Sequence, residues 1–155
     1  MNKETKKEQT STYLFPFQIH DVRLYDVNIT RCDSENEDDR ESSGATIMLL
    51  HGNESIDNEE FGILLTFQSD FPQDDKPVCN IQISIEGLFH SIVDKDTIKE
   101  EVLNKFRDSD AIVILWPYLR QILHDITERM KLGIPPIPVI DPRALLKDYE
   151  PNDKD

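Results

Sequence analysis

Two apolar periods divide this chain, and their order limits what it can fold into. Up to Glu86 the apolar residues recur mainly at every second position; from Ile112 they recur at every third and fourth. Period two alternates side chains across a strand, whereas a spacing of three and four lines them along one stripe of a helix. Strands followed by helices, rather than alternating with them, predict an α+β fold.

Val78–Glu86 has the cleanest alternation, with Cys79, Ile81, Ile83 and Ile85 on one face and Asn80, Gln82, Ser84 and Glu86 on the other. Glu60–Gln68 carries Phe61, Ile63, Leu65 and Phe67 in the same way. Ala45–His51 is a short strand that is apolar on both faces. Phe17–Arg31 alternates imperfectly: Phe17 and Ile19 point one way, Val22 and Leu24 the other, and Tyr25, Val27 and Ile29 return to the first phase. A bulge or two near 21–25 reconciles the phases, because each bulge inserts one residue. The intervening stretches are an acidic, Ser-rich loop at Cys32–Gly44, a turn at Gly52–Asn58 and a turn-rich connection at Phe71–Pro77. None has room for a crossover helix, and a sheet with one wet face is normally antiparallel, so four antiparallel strands are expected.

Asp96-Thr97 can cap a short helix over Ile98–Phe106, which Asp108–Asp110 should break. The long helix is Ile112–Met130, with Trp116, Leu119, Ile122, Leu123, Ile126 and Met130 on its apolar stripe. Pro117 fits if it lies in the first turn, where its missing N–H has no partner anyway; an earlier start should kink the helix. Gly133 is a candidate left-handed C-cap. Ile134–Ile140 (IPPIPVI) then combines three prolines with four large aliphatics. Proline excludes both helix and central strand there, leaving a stiff, extended, apolar connector that must lie against a core or cover something. Asp141-Pro142 restarts a helix to about Tyr149, with Asp as N-cap and Pro in the first turn. Residues 1–12 form a polar arm expected to be disordered, 13–149 one domain, and 150–155 a polar tail.

The chain carries 31 acidic and 17 basic residues among 155, a formal net charge of −14. That charge repels phosphate backbones and acidic headgroups, so nucleic acid is not an expected partner; a basic partner suits it better. No apolar run approaches the ~20 residues that span a bilayer, and the first residues hold no apolar signal core. A cytoplasmic location without membrane insertion is therefore expected, with Cys32 and Cys79 as thiols rather than a disulfide. No constellation for catalysis or for a metal or other cofactor is visible. The four histidines are unpaired in sequence, Cys79 shares the phase of three isoleucines, and five glycines build neither a P-loop nor a dinucleotide fingerprint. A non-enzyme is expected. The surplus of apolar surface has two readings: a core with an oligomer interface, or a groove for extended apolar polypeptide. Periodicity does not separate them.

The run Ile114–Leu146 resembles the bacterial export chaperone SecB. In that family a hydrophobic I-L-[FW]-P-Y leads into the long helix, matched here by Ile114-Leu115-Trp116-Pro117-Tyr118. An L-x-P-[VI] loop follows, matched by Ile137-Pro138-Val139-Ile140, and then a short [FP]-x-A-L helix, matched by Pro142-Arg143-Ala144-Leu145. Phe17-Gln18-Ile19, Asp26-Val27-Asn28 and Gly87-Leu88-Phe89 fit the family's first and fourth strands. The resemblance implies a four-stranded antiparallel sheet packed against a long helix and a short C-terminal helix. It implies a dimer of dimers, and an ATP-independent holdase that keeps unfolded or pre-secretory polypeptides export-competent in apolar grooves. Phe61, Trp116, Tyr118, Ile134, Ile137 and Val139 are its candidate groove residues. It also implies handover to the translocation motor SecA through acidic residues on the outward sheet face. Asp26 matches one such position, but the others fall on Thr30 and Gln82. SecB-like proteins dedicated to a single client such as an antitoxin form the alternative, and divergence at the motor-docking face fits that role equally.

Overall fold

The computed structural model describes residues 14–31, 45–51, 60–73, 76–134, 136–137 and 139–146. The arm, the acidic loop with Cys32, the turn at 52–58, the end of the last expected helix and the tail lie outside the described residues, as do Pro135 and Pro138. Four strands, β1 (Phe17–Arg31), β2 (Ala45–His51), β3 (Phe61–Gln73) and β4 (Lys76–Ser91), form one sheet in the order β1-β4-β3-β2. Every neighbouring pair is antiparallel, as the one-sided alternation of β3 and β4 demands.

β1 carries two register shifts, between Ile19 and Asp21 and between Leu24 and Asp26. They explain its broken alternation. With one residue added at each bulge, Ile19, Val22, Leu24, Val27 and Ile29 stand opposite Phe89, Gly87, Ile85, Ile83 and Ile81 respectively. Apolar residues of both sequence phases therefore share one face. Two boundaries differ from expectation. Phe71–Pro77 is mostly strand rather than connection, because β3 and β4 close as a hairpin in which Pro72 faces Pro77 just past a register shift. Proline is tolerated there because a bulge relieves it of a ladder hydrogen bond. β4 also runs past Glu86: Gly87, Leu88 and Phe89 pair with both β1 and β3.

A short helix, α1 (Glu100–Lys105), enters a five-residue π turn at Phe106–Asp110 and continues as α2 (Ala111–Arg129). The expected break at Asp108–Asp110 is thus a widened turn, not an interruption. It buries Phe106, Arg107 and Asp110 on the core side of the helical segment. Six helical residues precede Pro117, so it is not in the first turn. It lies on the solvent face, where water can take up the Val113 carbonyl that loses its partner.

The core forms one layer between α2 and the sheet. Ile112, Leu115, Trp116, Leu119 and Leu123 pack over Ile63, Leu65, Phe67, Ile81, Ile83 and Ile85, all nearly or wholly buried. Cys79 is buried in the same row, as its phase predicts. Gly87 permits the close approach: a Cβ there would lie 2.4 Å from Leu115 Cδ2 and 2.9 Å from the Phe89 ring. At one end Phe17, Phe61, Phe89 and Phe106 form an aromatic cluster, with ring centroids 4.6 to 6.2 Å apart. α2 ends in a Schellman motif. The Leu132 N–H bonds the Thr127 carbonyl and the Lys131 N–H bonds that of Glu128. The left-handed residue that closes it is Lys131, φ 52°, while Gly133, φ 65°, makes a second left-handed step farther on. The expected C-terminal helix is a single 3-10 turn, Pro142–Leu145, after which Leu146 bridges Ile47 of β2 in parallel. One turn suffices there because Leu146 must leave the helical path to reach the sheet edge.

Candidate polypeptide-binding surface

The helix layer is narrower than the sheet it covers. α2 sits over β3 and β4, and the connector beyond it leads to β2. The middle of β1 is left bare on its helix-facing side. Leu24 is 53% exposed and Val27 37%, although both face the same way as buried Ile85 and Ile83. Tyr118, Ile122 and Ile126, four residues apart on one flank of α2, are exposed or half-buried. Neither β1 residue was singled out from sequence. The signal was present, since Leu24 and Val27 are apolar, but only pairing across two bulges shows that they share a face.

The other flank of α2 carries the connector. Arg120 donates from Nε and Nη2 to the Ile137 carbonyl, at 3.0 and 2.8 Å. Ile134 and Ile137 are half-buried against the core, whereas Val139 and Ile140 point outward, Val139 84% exposed. The connector is therefore amphipathic in an unusual sense, with aliphatic side chains both beneath it and on top. Its far end is tied by Asp141, which caps the 3-10 turn through the Arg143 N–H at 3.1 Å. The Arg143 guanidinium hydrogen-bonded to Asp141 holds that carboxyl below its usual value. Arg143 also reaches buried Asp110 in the π turn, at 3.5 Å.

The expected groove residues thus separate. Tyr118, Ile134, Ile137 and Val139 are fully or partly accessible. Phe61 is 4% exposed inside the aromatic cluster, under the Arg107 guanidinium 5.2 Å from its ring, so it is core. Trp116 is also buried, at 3%, with its ring against Phe67. Alternation along β3 and the α2 stripe are properties of core residues and groove residues alike, which is why sequence did not distinguish them.

The opposite face of the sheet is less uniformly wet than the alternation of β4 suggests. Met48 and Leu50 of β2 are about half exposed there, and a shallow depression of about 580 Å³ is lined by Tyr25, Leu50, Leu64 and Leu88 with Arg23 and Glu86. Asp26 is exposed on this face opposite Ser84. Around it stand neutral groups: Thr66 hydrogen-bonded to Ser84, and Asn28 opposite Gln82. Among the described residues no group of three His, Cys, Asp or Glu side chains converges as metal ligands. Among the described residues no helix is long and apolar enough to cross a membrane.

No family model matches the chain, and neither does any curated protein. Solved structures do. A SecB-like chaperone from Mycobacterium tuberculosis, Rv1957, determined in complex with a ChAD peptide from the Rv1956 HigA1 antitoxin, superposes with a TM-score of 0.58 at 19% identity. The match covers 81% of this chain and 90% of that one. The chain has a SecB-like fold. A protein of unknown function from Streptococcus agalactiae also matches, with a TM-score of 0.44 and 11% identity over 80% of this chain and 96% of that one.

Proposed function

We propose that the protein is a molecular chaperone that holds non-native polypeptide on the helix-facing side of its sheet, without nucleotide. The observation that carries this reading is accessible apolar surface arranged as long strips. Leu24 and Val27 lie on β1, and Ile134, Ile137, Val139 and Ile140 along the connector, on a SecB-like fold. Strips of this kind suit an extended chain better than a compact ligand. Weak contacts at several strips gain affinity when one long client engages them together. Four copies in a dimer of dimers would bring the strips of several protomers together and lengthen the surface that one client can engage. The chemistry asked of the surface is burial alone, so no catalytic group or cofactor is required.

Two observations favour a dedicated client over general export. The Mycobacterium tuberculosis neighbour was solved with an antitoxin peptide. The sheet face around Asp26, where SecA would dock, presents Thr30 and Gln82 in place of carboxylates. A dedicated chaperone in the cytoplasm needs no such docking.

The test is to add the purified protein to two or three unrelated, chemically unfolded polypeptides and score aggregation, with their folded forms as controls. Suppression for all the unfolded forms and none of the folded ones is the expected result for a general holdase. Suppression for none, with a partner co-purifying from the native host, selects the dedicated reading; suppression for none with no co-purifying partner overturns the chaperone assignment.

A further inference from the structure

One buried donor on α2 has no acceptor. Trp116 is 3% exposed, and among the described residues its Nε1 has no hydrogen-bond partner. An indole N–H sealed from water in this way normally finds a partner, and leaving it without one costs free energy. One helical turn on, Arg120 is half-buried in a chain rich in carboxylates, yet among the described residues it pairs with none. It spends its guanidinium on a main-chain carbonyl, that of Ile137. The two residues are four apart and so lie on the same flank, the one on which the connector is pinned.

Their spacing matches an extended chain. Four residues of helix advance about 6 Å. Two residues of extended chain advance about 6.6 Å, the distance between successive carbonyls that point the same way. A polypeptide lying along this flank can therefore offer one carbonyl to Arg120 and another to Trp116. The connector offers only the first. Its sequence, Pro135-Pro136-Ile137-Pro138, fixes φ at three of four positions, which restricts its path along the flank.

We infer that the Trp116–Arg120 flank of α2 is a main-chain recognition site for extended polypeptide, occupied in the free protein by the connector. Resting on the chaperone reading above, it adds how a client is gripped. The client shifts the connector without removing it, takes over Arg120 with one carbonyl and satisfies the Trp116 N–H with a second. Recognition through carbonyls is independent of side-chain sequence. The core side chains that Ile134 and Ile137 pack against in the free protein supply the apolar contact.

Trp116 is the only tryptophan, so a ¹H–¹⁵N spectrum of the full chain contains one indole resonance. The probe is reduced, carboxamidomethylated ribonuclease A, a basic and permanently unfolded chain. On titration the indole resonance is expected to move downfield and its hydrogen exchange to slow, while the Ile137 and Val139 amide resonances shift as Arg120 releases the connector. Trp116→Phe keeps a smaller aromatic ring and removes the donor. It should weaken probe binding about fivefold, the contribution of one hydrogen bond, with a drop in melting temperature set by the lost ring volume alone. Arg120→Met should shift the connector amide resonances in the absence of any probe, which tests the resident contact separately. Binding that leaves the indole and connector signals unchanged overturns this inference while the chaperone reading stands. Failure of the probe and of every other unfolded chain to bind overturns this inference, and overturns the chaperone reading too where no partner co-purifies. Unaltered affinity in Trp116→Phe places the site elsewhere.

Discussion

At the scale of single residues, two backbone positions carry more information than their chemistry suggests. Gly87 sits where β4 meets α2, and any side chain must displace Leu115, Phe89 or Ile19. Overpacking a filled core costs about 1–3 kcal/mol. Gly87→Ala is expected to destabilise by that amount in a urea titration, with the slope unchanged because the fold is retained. Lys131 does the reverse. It occupies the left-handed position of the Schellman motif, where a Cβ is penalised by about 1–2 kcal/mol. Lys131→Gly should raise stability, by about 0.5–1 kcal/mol once the greater freedom of glycine in the unfolded chain is counted. A residue-scale pH effect also follows. The carboxyl of Asp141 is held below its usual value by Arg143, so its folded value lies under its unfolded one. Its contribution is present above the unfolded value, near pH 4, and is lost as pH falls through the folded value. Half the Asp141 side chain is exposed, which limits the effect to under about 1 kcal/mol. Asp141→Asn should remove that component of acid sensitivity, measurable as a smaller stability difference between pH 5 and pH 2.

At the scale of elements, the helical segment shows how local rules yield to packing. Three polar residues at 108–110 read as a break, yet the chain stays helical through a π turn, with Phe106 in the aromatic cluster and Asp110 buried beside Arg143. Pro117 reads as a first-turn residue, yet α2 extends one and a half turns before it, because Ile112 and Leu115 are needed over the sheet. The missing hydrogen bond is tolerated rather than harmless. Pro117→Ala should therefore stabilise the protein, by up to about 3 kcal/mol, the cost of proline inside a helix, less whatever water at the exposed face recovers. Thermal unfolding of the variant measures it; an unchanged or lower midpoint would mean that the proline shapes α2 in a way the core requires. β1 illustrates the same point in a strand. Its two bulges bring apolar residues of opposite sequence phase onto one face, and that face, beyond the reach of α2, is the first of the two exposed strips.

At the scale of the whole molecule, the strips divide according to what lies over them. Val139 is 84% exposed, so Val139→Asp should leave the melting temperature unchanged and weaken client binding several-fold in a fluorescence titration. Loss of folding there would show that the connector is part of the core. How much of this was legible beforehand follows from the kind of information involved. The strands, their antiparallel pairing, the bulges near 21–25, the long helix and the Asp141 cap rest on spacing and on local backbone chemistry, which a sequence states directly. Exposure is not local. Phe61 and Val139 are both large and apolar, both resembled groove residues, and one is sealed in an aromatic cluster while the other faces water. Trp116 and Arg120 stand one turn apart in any helix, but only the folded chain shows that one lacks an acceptor and the other holds a carbonyl seventeen residues away. The sequence by itself determined the elements and the faces they present. The tertiary structure decided which faces are covered, because coverage depends on the width of α2 relative to four strands and on where the connector is pinned.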